Sequence, residues 1–176
     1  KQVLVEPNII QLSIRFKIIA AELFFNKELK SLLETSTLLP LDFWGISEVE
    51  DYKFEYFIKY VEEILLKILT KNQLNEQKLK LFEILYSSNG DTEVSEIAKQ
   101  LNWKSRSINR YFNKQFGFPL KTFINILRCN AAYKQISDGN LFPSNNYYDQ
   151  SHFIKEIKNY TGNTPKELFL GKDDRF

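Results

Sequence analysis

The 176 residues, 43% of them hydrophobic, are enough to bury the core of one ordinary domain or two small ones. One Cys (Cys129) and one His (His152) exclude an internal disulfide and cannot close a zinc site without several carboxylates, so neither metal nor cofactor is expected. The net charge of +2 hides an asymmetry: residues 1–90 carry 11 Lys and Arg against 13 Asp and Glu, whereas residues 91–176 carry 13 against 9.

The chain opens at Lys1 and holds no Met, as a fragment of a longer protein would. Residues 3–17, VLVEPNIIQLSIRFK, alternate apolar and polar from Ile10 to Phe16 and predict one or two strands, the remnant of a larger β-domain. A short helical pattern follows from Ile18 to Leu33, and Pro40 breaks it. Ser47 with Glu50 reads as a capping box opening a long helix, carried by Phe54, Phe57, Ile58, Val61, Ile64, Leu65, Ile68 and Leu69. That stripe packs on the strands, or else forms a dimer seam or a docking face for the second half. The polar run TKNQLNEQ, 70–77, is the expected linker between a region 1–72 and a region 73–176.

Beyond the linker every element predicted is helical. Gln77–Ser87 is followed by a turn at SNGD, a short helix Val94–Leu101 and a helix Ser105–Phe116 stopped by Gly117. Pro119 suits the first turn of a longer helix through Ile136. Asp149 caps a helix to about Tyr160, ended by Gly162; Thr164 caps a last one, with Pro165 at its first position and Glu167 at its third. No apolar run reaches about eighteen residues and no export signal opens the chain, so no membrane partner and a cytoplasmic address are expected.

The informative unit is EVSEIAKQLNWKSRSINRYFNKQFG, 93–117. Ala98 is small where two helices must cross, and Asn102, four residues on, can adopt the left-handed backbone of a tight turn. With Ile97, Leu101, Ile108 and Phe112 facing inward, the spacing predicts a helix-turn-helix. Its second helix would display Ser105, Arg106, Asn109, Arg110 and Asn113. Arg can bond guanine bidentately and Asn can do so with adenine, while Ser hydroxyls and Lys104 or Lys114 serve phosphates. Between Ser95 and Gln135 the only acid is Glu96, a local surface that favours phosphates. The alternative for this face is a solvated helix surface.

SEIAKQL, the INRYFNKQFG after it, the run from Pro119 ending LRCNAA, and YYDQSHFIKEIKNYTGNTPKEL together resemble the DNA-binding domain of the AraC/XylS family of bacterial transcription regulators. The resemblance covers about Gln77 to Phe169. It implies a mainly α fold, two helix-turn-helix units joined by a long helix, preceded by a partial β-plus-helix N-terminal region that would be the tail of a cupin-like sensor or dimerisation domain. It implies base-reading positions at Arg106 and Arg110, exposed positions of the second recognition helix at Gln150, Ser151 and Lys155, and packing positions at Tyr147, Phe153, Ile157 and Tyr160. His152, on the same helix, reads as a phosphate contact or packing residue, since no Ser, Cys or second carboxylate completes an acid and base pair around it. The sequence departs from the family where SDGNLFPSNN stands in place of an apolar, Ala-containing helix before Tyr147. Phe118 also replaces a capping Ser or Thr, and Asn102 and Asn146 replace turn glycines.

The expected function is sequence-specific DNA binding in transcription regulation, without catalysis, with double-stranded DNA as partner. The resemblance further implies a small-molecule effector for the N-terminal region, and repeated half-sites imply a homodimer. The alternative is a protein-interaction or ligand-sensing module with the same helical fold but no specific operator binding.

Overall fold

The computed structural model describes residues 12–40, 42–48, 53–72, 75–142, 147 and 149–171, and these are mainly helical. The chain divides into two compact units, Lys1–Leu74 and Asn75–Phe176, the boundary falling inside the polar run 70–77.

In the first unit the strand expected at Ile10–Phe16 does not form over the residues described: 12–17 run without a pairing partner into helix α1, Ile18–Phe25. Residues 3–11 lie outside the described residues. A strand needs a neighbour to satisfy its backbone, and Phe16 is used differently. Its ring packs edge-on against Phe24, Phe25 and Trp44, so its burial comes from ring packing instead of a sheet face. Trp44 itself sits in the left-handed region (φ 58°), uncommon for a bulky residue, followed by left-handed Gly45. The Tyr60 hydroxyl, at 3.2 Å from the Trp44 carbonyl and 2.9 Å from that of Gly45, holds this turn to helix α2, Phe54–Lys71. The long helix therefore begins at Phe54 and not at Ser47, which belongs to a 3-10 turn, Phe43–Glu48; Glu50 lies outside the described residues. α2 packs on α1, and Val61 is its one fully buried residue.

The second unit begins with α3, Glu76–Ser87, capped by the Asn75 side chain accepting from the Lys78 N–H. α4 is Val94–Gln100, α5 is Ser105–Phe116, and Gly117 ends α5 in the left-handed region. Pro119 is the residue that flanks α6, Leu120–Ser137, and not its first helical position. α7, Gln150–Thr161, is capped by Asp149 and stopped by left-handed Gly162. α8, Pro165–Leu170, carries the full capping box between Thr164 and Glu167.

Helix α6 is the spine of this unit, because its two ends are buried in different cores. Leu120, Phe123 and Ile124 join Leu81, Phe82 and Leu85 of α3, Ile97 of α4, and Ile108, Phe112 and Phe116 of α5. Cys129, Ala132 and Ile136 join Phe153 and Ile157 of α7, with Leu168 and Phe169 of α8 packed against them. Helices α3 to α5 share no substantial contact with α7 or α8, so α6 carries the relation between the two cores.

The turn between α3 and α4 is pressed onto this spine. Gly90 is left-handed (φ +80°), and a Cβ there would stand 2.5 Å from the Ile124 carbonyl oxygen and 2.6 Å from the Arg128 nitrogen. Gly162 has a similar φ of +79° but nothing within 4 Å of a Cβ. Gly162→Ala should therefore cost only the left-handed penalty, about 1–2 kcal/mol, and Gly90→Ala distinctly more, because backbone must move. Thermal melts of both variants check this; equal losses would mean that the turn shifts off α6 without resistance.

Candidate nucleic-acid interface

The α4–α5 turn has the backbone its sequence calls for. Asn102 is left-handed (φ 47°), its N–H donates to the Lys99 carbonyl, and the Trp103 N–H donates to the Ala98 carbonyl at 2.9 Å. From this turn α5 emerges with Ile108, Phe112 and Phe116 buried on one face at helical spacing. Lys104, Arg106, Arg110 and Asn113 are exposed, while Ser105 and Asn109 are half-buried. Asn109 is engaged inside the chain at both ends of its amide. Nδ2 donates to the Ser105 carbonyl at 3.2 Å, and Oδ1 accepts from the Leu120 N–H at 3.1 Å. Asn109 thus satisfies one of the open N–H groups at the start of α6 and straps α5 to it, a structural task that its place on the outer face did not suggest. The Asn113 amide nitrogen donates to the Asn109 carbonyl at 2.8 Å.

On α7 the Asp149 carboxylate accepts from the His152 N–H at 2.7 Å, fixing the helix start. Phe153 and Ile157 anchor the helix, and Gln150, Ser151, His152 and Lys155 are all exposed. Tyr147 is half-buried against Phe153, their ring centroids 4.8 Å apart. Tyr160, expected to pack, is instead 40% exposed in the last turn of α7, where it lines open space beside α6. Of the stretch SDGNLFPSNN, residues 143–146 lie outside the described residues, as does Tyr148; this includes Asn146.

Between these elements lies a cleft of about 970 Å³. Its floor is α6, through Lys121, Ile124, Asn125 and Arg128; one wall is Thr92–Ser95 with Ser105, and the other is His152, Lys155, Glu156, Asn159 and Tyr160 of α7. The structure thus brings Ser105, His152 and Lys155 to one cleft, while Arg106, Arg110, Asn113, Gln150 and Ser151 do not line it.

Two residues of this region went unrecognised in the sequence as anything beyond charge. Glu156 is buried, and neither carboxylate oxygen has a hydrogen-bond partner. Its nearest basic groups are the Arg128 guanidinium, with Nη1 at 3.8 Å, and the His152 imidazole, with Nδ1 at 3.9 Å. Arg128 also donates from Nε and Nη2 to the Gly90 carbonyl, at 3.2 and 3.1 Å, and its guanidinium lies 5.8 Å from the centre of the Tyr147 ring. Burial pushes the neighbouring Cys129 thiol up to about 12, with the Glu156 carboxylate adding to the shift. Burial likewise raises the Tyr147 hydroxyl. Cys129 is therefore a protonated core residue at neutral pH and no nucleophile.

Helices α5, α6 and α7 together hold Arg106, Arg110, Lys114, Lys121, Arg128, Lys134, Lys155 and Lys158 against a single carboxylate, Glu156, which faces inward. Among the described residues no group of three His, Cys, Asp or Glu is placed to hold a metal ion, and no helix is long and apolar enough to cross a membrane. Comparison of the chain with protein-family models, with curated proteins and with solved structures returns no match.

Proposed function

We propose that the chain is a sequence-specific DNA-binding transcription regulator of AraC/XylS type. On this reading the α4–α5 pair is one helix-turn-helix, α7 is the recognition helix of a second, and α6 joins them. The observation that carries it is the charge disposition of the three helices: their cations stand outward in number, and their one carboxylate is buried. A solvated surface in a chain of nearly balanced charge would mix both signs along these helices; eight Lys and Arg against one carboxylate, with Glu93 on the cleft wall and Asp149 at the start of α7 as the acids beside them, leave an excess of positive charge that suits a polyanion. Arg106 and Arg110 of α5 and Gln150, Ser151 and Lys155 of α7 are the side chains that would reach base edges, with Lys104, Lys121 and His152 on phosphates. Asn109, held inside the chain, would act by fixing α5 instead of reading a base.

The test is selection of bound sequences from a random duplex pool by the purified chain. Two short conserved blocks about one helical turn apart are expected. Arg110→Ala should then cost about 1–3 kcal/mol at one position of the recovered motif and leave the others unchanged. Uniform weakening at all positions would make Arg110 a phosphate contact. Unchanged binding when Gln150 and Lys155 are replaced together would favour the module that keeps this fold without operator recognition.

A further inference from the structure

Arg128 stands on α6 at the junction of its two cores, one residue before Cys129 and four after Ile124. Toward the first core it makes a forked contact, with both Nε and Nη2 on the one carbonyl of Gly90. That carbonyl belongs to a turn packed directly on α6, where the backbone of Gly90 lies against Ile124 and Arg128 with no room for a Cβ. Toward the second core its remaining nitrogen faces Glu156 of α7, a buried carboxylate without a hydrogen-bond partner. A buried carboxylate is costly unless a cation stands by it, so the position of α7 that keeps Glu156 near Arg128 is favoured over rotated or displaced ones. The planar fork serves both sides from different nitrogens; a lysine ammonium is a single point of charge and lacks that reach.

We propose that Arg128 is a positioning residue that locks α7 in one placement relative to the α4–α5 pair, and so sets the distance between the two stretches of DNA that the helices read. The second half of this statement rests on the reading of α5 and α7 as recognition helices; the first half does not. In helix-to-helix packing the two cores meet chiefly through α6, so a side chain that ties a loop of one to a helix of the other limits how far they swing.

The test uses the full chain with nitroxide labels at two exposed positions, Lys99→Cys on α4 and Lys158→Cys on α7; Cys129 is buried and stays unlabelled. The parent protein is expected to give one narrow distance distribution by pulsed electron–electron resonance. Arg128→Leu alone would leave Glu156 buried without its cation and could unfold the second core. The variant of choice is therefore Arg128→Leu with Glu156→Leu, which replaces the pair by apolar side chains and keeps the helices folded by circular dichroism. A broadened distribution in this variant is expected, with an intermediate one for Arg128→Lys. An unchanged narrow distribution in the double variant overturns the proposal, whatever the protein binds.

On the selected operator, the parent should lose about tenfold or more in affinity when one base pair is inserted between the two blocks, the scale of a single mismatched pair. The double variant should bind both spacings within about threefold of each other. A broadened distribution with spacing discrimination intact overturns the DNA half of the proposal. Broadening with no operator recovered from the pool supports the locking role and counts against the regulator reading.

Discussion

Phe112→Ala is expected to remove about 3–5 kcal/mol of stability, which is a large part of what a domain of this size has to lose. Phe112 is completely buried, and its ring meets Phe82 of α3, Tyr111 and Phe116 of α5, Phe118 in the following turn and Phe123 of α6. Phe112 meets them in tilted and edge-on pairs at centroid distances of 5.2–6.5 Å, so removing this central ring opens a cavity that its rigid neighbours cannot close. The loss reaches the interface directly, because the buried face of α5 is the back of the face that carries Arg106 and Arg110. Urea unfolding followed by circular dichroism would measure it, with DNA affinity falling in parallel under conditions where the variant is partly unfolded. Leu66→Ala is the control. Leu66 is 60% exposed on α2, so its loss should be near zero. A Phe112→Ala protein as stable as the parent would mean that α5 is held by its caps and not by this core.

The helices of the second unit were legible because their ends are written in local chemistry. Gly117 and Gly162 stop α5 and α7 in the left-handed region, Asp149 and Thr164 cap α7 and α8, and Asn102 makes the turn its position predicts. Such signals act over three or four residues and need nothing from the rest of the chain. The first unit misled where the deciding partner is distant in sequence. The alternation at Ile10–Phe16 fits a strand, but Phe16 finds its burial in a cluster of rings contributed by α1 and the turn at Phe43 and Trp44. The start of α2 follows the turn that Tyr60 holds from a full helical stretch away. The same limit applies at the candidate site. Outward-facing Arg106, Arg110, Gln150 and Lys155 follow from helical periodicity alone. Asn109 lies on that outward face too, yet only the approach of Leu120 reveals it as a strap. Arg128 and Glu156 are 28 residues apart and read singly as surface charges; their pairing exists only once α6 and α7 are packed.

Raising the salt concentration from about 50 to 200 mM should weaken DNA binding by about 10³-fold, if the protein neutralises about six phosphates and log K falls with log salt at a slope near −5. The exposed cations that would do this are spread over the whole interface: Lys104, Arg106 and Arg110 at α5, Lys121 at the start of α6, and Lys155 and Lys158 on α7. Their separate roles follow from where they stand. Lys121 and Lys155 both line the cleft, one from its α6 floor and one from its α7 wall, the place where the backbone between two successive grooves would pass if both helices are engaged. Replacing either by Gln should reduce the slope by about one and weaken all sequences alike, whereas Arg110→Ala should change which base is preferred at one position. Fluorescence anisotropy on the selected operator, at several salt concentrations, separates these effects. Glu156 takes little from the field that the phosphates meet, because the Arg128 guanidinium 3.8 Å away offsets its charge, and Lys155 and Lys158 are then the exposed charges of α7. Binding that persists with a slope near zero would mean that these cations do not meet a polyanion, and the face formed by α5, α6 and α7 would then belong to a protein partner.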